Sequence, residues 1–286
     1  MTSIAFLALG AMGSRIADNL LDAGFGLTVW NRDTTKTAPL ADKGANVASS
    51  PRAAATSADI VFAMVRDDVA SRAVWLDPHT GALAAMRTGA IAIESSTLTL
   101  DFTRTLAKSA QVAGIGFWDA PVAGSRPQAQ AKQLIHLVGG DAVTLSRAEP
   151  ALKAIGAAIH HLGPAGSGMA MKLAVNALFG IQVAAVAELL GALAKQGVDG
   201  AKAAEIIGAT PVASPAAKAA MASMIDGTYA PLFPVDLVAK DFDCAATSAT
   251  VVGSETPVSR AAGAVFMEAI AHGLGAEHLT AVRKLY

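Results

Sequence analysis

A single cysteine, Cys244, stands among the 286 residues, so no internal disulfide can form. Its place in a helical pattern predicts a small buried thiol. Six histidines are scattered, and even the adjacent His160 and His161 point to opposite faces if their segment is a strand, so no metal site is expected. Charge is scarce as well: 16% of residues are charged, 22 basic against 23 acidic, and no basic run exceeds a pair. That removes the electrostatic footprint of a nucleic-acid binder and leaves a small molecule as the expected partner. The amino-terminal Met-Thr-Ser-Ile-Ala-Phe-Leu has no basic region ahead of its apolar residues, which argues against a secretory signal and for a cytoplasmic protein. The most apolar stretch, Met169 to Ala194, is interrupted by Lys172, Asn176, Gln182 and Glu188. It lacks the uncharged run of about 18 residues that a membrane span requires, and is read as a buried helix.

Apolar residues, by contrast, are abundant: 53% of the chain, with a mean hydropathy of +0.44. That is enough for two cores, and two domains are expected. From Ser3 to Leu162, short apolar runs alternate with helical stretches. The runs Ile4–Leu9, Leu27–Trp30, Ile60–Val65, Ala90–Ile93, Gly116–Val122, Leu134–Val138 and Ile159–Leu162 are predicted strands. Such alternation predicts a mostly parallel, doubly wound α/β sheet of Rossmann type. Helix starts are predicted at Ser50-Pro51, near Asp67 and near Asp101. After Gly163-Pro164-Ala165-Gly166 no strand pattern remains, so the expected division is a nucleotide-binding domain over residues 1–163 and an all-helical domain over 164–286. The first helix of the second domain, Ser167 to Gln196, is about 30 residues or on the order of 45 Å long. Caps at Asp199, Ser214-Pro215 and Thr256-Pro257 predict further helices. These helices are more apolar than so small a domain can hide, which predicts a homodimer, or a higher homo-oligomer, packed through them.

Ala8-Leu9-Gly10-Ala11-Met12-Gly13 follows the first strand and opens a helix, where a phosphate-binding turn must lie. Gly10 lets backbone approach a pyrophosphate, Gly13 lets helix and strand pack closely, and the helix N-terminus supplies amides and a positive dipole. Ala8 occupies the place of a third glycine. At the end of the second strand, the acidic residue that would bind the ribose 2′-hydroxyl of NAD is absent, and Asn31-Arg32 stands there. A guanidinium binds a 2′-phosphate that a carboxylate would repel, so the pair favours NADP; Lys36 adds a second positive charge, while Asp33 opposes the reading.

Four separated motifs then make the chain similar to the β-hydroxyacid dehydrogenase family over nearly its whole length. They are Leu7–Gly13 continuing to Asn19-Leu20-Leu21 and Trp30-Asn31-Arg32; Asp119-Ala120-Pro121-Val122-Ala123-Gly124-Ser125; Gly166–Asn176; and Lys240-Asp241. Asn31-Arg32 and Gly124-Ser125-Arg126-Pro127 most resemble the branch of NADPH-dependent glyoxylate and succinic semialdehyde reductases. Departures from the family pattern are Ala123 in place of a serine, and Ala129-Gln130-Ala131-Lys132 without the expected glycine.

The resemblance implies reduction of a small aldehyde or semialdehyde acid, with Lys172 as general acid and Asn176, four residues on, sharing its helix face. Burial of such a lysine lowers its pKa toward the working pH. The resemblance further implies cofactor contacts from Leu9, Gly10, Ala11, Met12, Gly13, Asn31, Arg32, Lys36, Val65, Thr97 and Lys240, and substrate contacts from Val122, Ala123, Gly124, Ser125 and Asn176. Backbone amides around Gly124 and Ser125 are expected to form an anion nest, with Arg126 beside it. Two other readings stand beside this one: an imine reductase on the same fold, for which the resemblance predicts another residue at Lys172, and a non-catalytic NADP-binding or interaction module, against which Lys172, Asn176 and Lys240 speak.

Overall fold

Segments such as Ile60–Ala63 and Ile91–Glu94 are buried at every residue without alternation, the pattern of strands covered on both faces. Among residues 2–286, which the computed structural model describes, nine strands form one sheet. They are β1 (Ser3–Leu7), β2 (Gly26–Trp30), β3 (Asn46–Val47), β4 (Ile60–Ala63), β5 (Ile91–Glu94), β6 (Gly116–Asp119), β7 (Val122–Ala123), β8 (Leu134–Gly140) and β9 (Gly156–Gly163). The helices between them are α1 (Gly13–Asp22), α2 (Ala38–Ala41), α3 (Pro51–Ala55), α4 (Asp68–Leu76), α5 (Leu100–Val112), α6 (Arg126–Gln130) and α7 (Ala142–Ile155). Then follow α8 (Ser167–Lys195), α9 (Gly200–Ala209), α10 (Pro215–Ile225), α11 (Val235–Val251) and α12 (Pro257–Ala271).

Strand order is β3-β2-β1-β4-β5-β6-β8-β7, with β9 on β8. Because β1 pairs in parallel with both β2 and β4, the winding reverses there, and the carboxyl ends of β1 and β4 lie side by side. In open α/β sheets this switch point is where ligands bind. Phe6 and Phe62, on these two strands, stack with centroids 5.8 Å apart in a core shared with Ile4, Val29, Ile93 and Trp118.

The expected Gly116–Val122 strand is divided in two. Pro121 has no N–H for a ladder, and β6 and β7 each pair antiparallel with β8. The helix expected near Asp101 begins at Leu100 under a Thr99 cap, whose hydroxyl accepts the Phe102 amide. Ser50, Asp67, Asp199 and Ser214 cap α3, α4, α9 and α10 with their side chains, whereas Thr256 precedes α12 without a side-chain cap bond. The two-residue edge strand β3 has too short a pattern to be seen in sequence.

Backbone contacts divide the chain between Lys172 and Leu173, inside α8. The second unit, Leu173–Tyr286, is helical around Val183, Leu190, Met221, Phe242, Phe266 and Leu279. Gly180 and Gly263 leave the space that the Phe242 ring fills: a side chain at Gly180 would begin 2.5 Å from that ring. Cys244 is a buried thiol here. Helix α8 is less covered than expected. By length and composition alone it could cross a membrane, and only 44% of its most apolar window is buried. Val175, Leu178 and Leu189 are exposed at 38%, 59% and 50%, along one stripe with Ala185 and Ala192. The interrupting Lys172 and Asn176 are the residues that turn inward.

Two positions generate stability predictions. Ala8 has φ +78°, a left-handed conformation in which its Cβ is strained. Replacement by glycine removes that strain at some cost in chain entropy, and Ala8→Gly is expected to raise stability by about 1 kcal/mol. An unchanged or lower midpoint in urea would show that the strain is absent. The second position is His136, buried on β8 with neither ring nitrogen in a well-formed hydrogen bond among the described residues. Burial pushes its pKa down to about 4, with the Leu152 backbone opposing weakly. The unfolded ring titrates near 6.5, so the neutral ring's contribution is complete above that pH and is lost as pH falls toward 4. The loss amounts to about 3 kcal/mol. Buried acids whose pKa values are raised contribute the opposite slope, so the test is a difference. The stability of His136→Leu minus that of wild type should rise by that amount between pH 7 and 4 in urea titrations, and a constant difference would refute the assignment.

Candidate active site

The carboxyl end of β1 carries the expected phosphate turn, and Asn31 sets its shape. The Leu9 amide donates to Asn31 Oδ1 at 2.7 Å, and Asn31 Nδ2 donates to the Asp33 carbonyl at 2.8 Å. Asn31 is thus a brace for the loop, and Ala8, whose amide donates to Trp30, is held in its left-handed turn. Gly13 sits where a Cβ would collide with the Ala8 carbonyl oxygen, which explains why helix and strand approach so closely. Gly10 differs: its φ is ordinary and a Cβ there would meet nothing within 4 Å. The fold itself does not require glycine at that point, and the open space fits a ligand pressed against backbone. No side chain caps α1; its Ser14 and Arg15 amides donate to the Gly10 and Met12 carbonyls, and the positive end of its dipole lies at that space. A dinucleotide's pyrophosphate fits this cradle.

Arg32 and Lys36 are exposed beyond β2. Asp33, the residue that opposed a 2′-phosphate, is already engaged. Its Oδ1 accepts the Thr35 hydroxyl at 2.7 Å and amide at 3.1 Å. These bonds, hydroxyl first, hold its carboxyl below the usual range. It acts as the cap of the short turn Thr34–Thr37.

Val65 and Thr97 follow β4 and β5 and are half-buried. Between them lies a network whose partners the sequence does not show. Glu94, fully buried, accepts Ser71 Oγ at 2.6 Å, Trp75 Nε1 at 2.9 Å and the Ser96 amide at 2.8 Å. Ser96 Oγ in turn accepts the Val65 amide at 2.7 Å. Burial pushes the Glu94 carboxyl up, and these donors pull it back. Asp68 joins the same two loops, accepting the Thr99 amide and hydroxyl at 3.0 and 2.5 Å. The signal was a carboxylate ending an otherwise apolar strand with no exposed face.

The segment Val122–Ser125 turns away from β8 at Gly124. Its φ of +123° and the Gln128 and Leu134 carbons, 3.0 Å from a would-be Cβ, require glycine. The expected anion nest is corrected here: the Ser125 amide donates to Gln128 Oε1 at 2.9 Å in a capping box that starts α6, and is not open to a ligand. Arg126, next in line, has a buried Nε without a hydrogen-bond partner. The motif residue Asn19, on α1, donates to the Ala129 carbonyl at 2.7 Å and so ties α6 to the nucleotide-binding helix.

Lys172 is buried near the start of α8. The preceding turn is held by Asp119 at the end of β6, whose carboxylate accepts the Gly166 and Met169 amides, each at 2.7 Å. In the second unit, Asn176 and Lys240 meet at one carboxylate, that of Asp241. Asn176 Nδ2 donates to Asp241 Oδ2 at 2.6 Å, and Lys240 Nζ lies 2.9 Å from Asp241 Oδ1. An ionised carboxylate only accepts, so the Asn176 amide nitrogen must face it and the amide oxygen is left to accept elsewhere. Asp241 is 4% exposed; its Oδ2 is hydrogen-bonded, while its Oδ1 meets the Lys240 ammonium as an ion pair without a well-formed hydrogen bond. Asp241 and Asp119 stood in the motifs without a role of their own; only the fold shows which donors surround them. Among the described residues no cluster of metal-ligating side chains occurs.

Residues 3–163 match the family model for the NAD binding domain of 6-phosphogluconate dehydrogenase, and residues 166–286 that for the NAD-binding domain of NADP-dependent 3-hydroxyisobutyrate dehydrogenase. Among curated proteins, the chain is 34% identical over 280 residues to chloroplastic glyoxylate/succinic semialdehyde reductase 2 of Arabidopsis thaliana, covering 98% of this chain and 78% of the relative. It is 32% identical to 3-hydroxyisobutyrate dehydrogenase of Pseudomonas aeruginosa, covering 100% and 99%. Among solved structures, 3-hydroxyisobutyrate dehydrogenase of Mycobacterium tuberculosis with L-serine superposes with a TM-score of 0.91 at 29% identity, over 100% of this chain and 99% of that one. The relatives are dehydrogenases and reductases acting on hydroxy acids. A Rossmann-type sheet with a phosphate turn, followed by a helical region that the second family model matches over residues 166–286, makes this chain an NAD(P)-dependent oxidoreductase acting on CH–OH groups and a member of the β-hydroxyacid dehydrogenase family, of the 3-hydroxyisobutyrate dehydrogenase type.

Proposed function

We propose that the chain reduces a small aldehyde or semialdehyde acid to the hydroxy acid with NADPH, and that Lys172 supplies the proton to the carbonyl oxygen. The observation that carries the reading is the disposition of α8. Of its polar residues, Lys172 and Asn176 are the two that are buried, one turn apart, whereas Gln182 is half-buried and Glu188 exposed. Burying such groups is costly unless they are used or paired. Asn176 is oriented by Asp241, so its amide oxygen is available to accept from a substrate hydroxyl or an ammonium.

Bound NADPH supplies the hydride. Residues 1–163 form the proposed cofactor domain, with Leu9 to Gly13 receiving the pyrophosphate and Val65 and Thr97 lining the way to the nicotinamide. Arg32 is the partner of the 2′-phosphate, with Lys36 as a second charge. Two observations support the phosphate: Arg32 is exposed, and Asp33 is committed to Thr35. Lys240, held by Asp241, serves the nicotinamide end. Residues 164–286 form the proposed substrate and dimerisation domain. The substrate carboxylate is assigned to Arg126, whose buried Nε needs an acceptor, beside Val122, Ala123, Gly124 and Ser125.

Chain partners are proposed from α8. The stripe of Val175, Leu178 and Leu189 is the face through which two copies associate in the cytoplasm, since an exposed apolar row of this kind is costly in water. Sedimentation should show a dimer of the wild type and a folded monomer of Leu178→Glu; a dimer unaffected by that charge would remove α8 from the interface.

Lys172→Ala is expected to lower kcat by about 10³-fold, within the range of general acid catalysis, while NADPH titrations by fluorescence leave Kd within about threefold. Arg32→Glu is expected to raise the NADPH Kd by about 10- to 100-fold and to leave NADH nearly unaffected, as expected for loss of one charge-assisted bond. Substrates to screen are glyoxylate, succinic semialdehyde, methylglyoxal, tartronate semialdehyde and a cyclic imine. Wild-type turnover in Lys172→Ala would end the mechanism, and activity on the imine alone would move the chain to imine reduction. Tight NADPH binding with no turnover on any compound would favour a binding module.

A further inference from the structure

Asp119 lies outside the chemistry assigned so far, yet it is a fully buried carboxylate at the end of a central strand. It makes the contacts of a helix cap without belonging to the helix. Residues Gly166-Ser167-Gly168, at the entry to α8, offer the start of the helix no carboxylate of their own, and Asp119 reaches over from β6 to accept the Gly166 and Met169 amides at 2.7 Å each. The contact is close on every side. A Cβ on Gly139 of β8 would lie 2.6 Å from Asp119 Oδ1 and 2.9 Å from the Gly168 amide nitrogen. A Cβ on Gly168 would collide with the Leu137 carbonyl oxygen and lie 2.9 Å from the Asp119 carbonyl oxygen. From a third direction, the Leu98 amide donates to Met169 Sδ at 3.2 Å. The first turn of α8 is therefore fixed to β6, β8 and the loop after β5, and Lys172 stands three residues beyond Met169.

We infer that Asp119 is a positioning residue for Lys172: by holding the first turn of α8 against the sheet, it sets where the lysine ammonium stands. The inference rests on the proposed role of Lys172 for its catalytic consequence, and on hydrogen bonds within one unit for its geometry. Burial pushes the Asp119 carboxyl up to about 7 against the pull of the amides, which marks how far the fold goes to keep a carboxyl at this point. An asparagine there would retain one acceptor and turn an N–H toward an N–H, so one of the two tethers is lost while shape and volume are kept.

Asp119→Asn is expected to lower kcat by about 10- to 100-fold with substrate KM and NADPH Kd within threefold, because the tether acts on the lysine and not on ligand binding. A readout separate from turnover is the rate of amine acetylation at each lysine, followed by mass spectrometry. Lys172 should label at least fivefold faster in Asp119→Asn, with Lys195 and Lys202 unchanged. A loss of kcat with Lys172 labelling unchanged would overturn the inference, as would an unchanged kcat. Should Asp119→Asn fail to fold, Met169→Leu loosens the same turn by removing only the sulfur acceptor, and the same two measurements decide, with smaller changes expected. If instead Lys172→Ala retains full turnover, the proposed mechanism fails, while the labelling result still decides whether Asp119 places the lysine.

Discussion

A carboxylate withdrawn from water must be surrounded by donors, and this chain uses that requirement three times to hold its loops. Glu94 gathers donors from Ser71, Trp75 and Ser96 and, through Ser96, the Val65 amide. Asp119 gathers the first amides of α8. Asp241 gathers Asn176 and Lys240. Each sits at the end of a strand or inside a helix, where backbone is already rigid, and each restrains a neighbour that would otherwise be a mobile loop or a freely rotating side chain. Sites are more exact on such supports than on unsupported loops. Removing one partner of such a set leaves the other buried and unpaired, so these acids are harder to replace than the exposed ion pairs, such as Lys153 with Glu149, which contribute little.

How much of this was legible in sequence depended on the range of the interaction. Strands with continuous apolar runs, side-chain caps such as Asp67 and Ser214, and the turn at Gly10 and Gly13 are local patterns, and they appear where the residues predicted them. The role of Asn31 was hidden. Its place beside Arg32 suggested a cofactor contact, and nothing in the sequence signalled that its amide also spans 22 positions to brace Leu9. The capping box of Ser125 and Gln128 is local and could have been read: a serine followed three residues later by glutamine signals a helix start. Asp119 pairing with Met169, 50 residues on, and Asn176 with Asp241, 65 residues on, could not be read, because no periodicity encodes a contact that only the tertiary fold creates.

Ala8 shows two demands on one position. The turn requires a left-handed residue, which glycine adopts freely and alanine does not. Helix α1 requires close approach to the same residue's carbonyl, and Gly13 meets that need. The absent third glycine therefore costs strain and leaves the cradle intact: its position is set by Gly13, Asn31 and the Ala8–Trp30 hydrogen bond. Gly10, by contrast, is under no steric demand from the protein, and the open space there fits a ligand pressed against backbone.

Contacts divide the chain at Lys172, nine residues after the last strand ends at Gly163, and the cause is physical. The opening turns of α8 belong to the sheet because Asp119 and Leu98 hydrogen-bond to them and Gly139, lacking a side chain, lets them approach, although their secondary structure belongs to the helical half. Residues from Leu173 onward pack instead in the helical core, with Val183 and Leu190 among its buried members. A continuous helix transmits its register, so a restraint on Met169 restrains Lys172 through the backbone hydrogen bonds of a single turn. The long helix is then more than a connector. Its first turns carry the proposed acid on the nucleotide-binding sheet, its next turn presents Asn176 to Asp241, and its exposed apolar stripe is left for a partner.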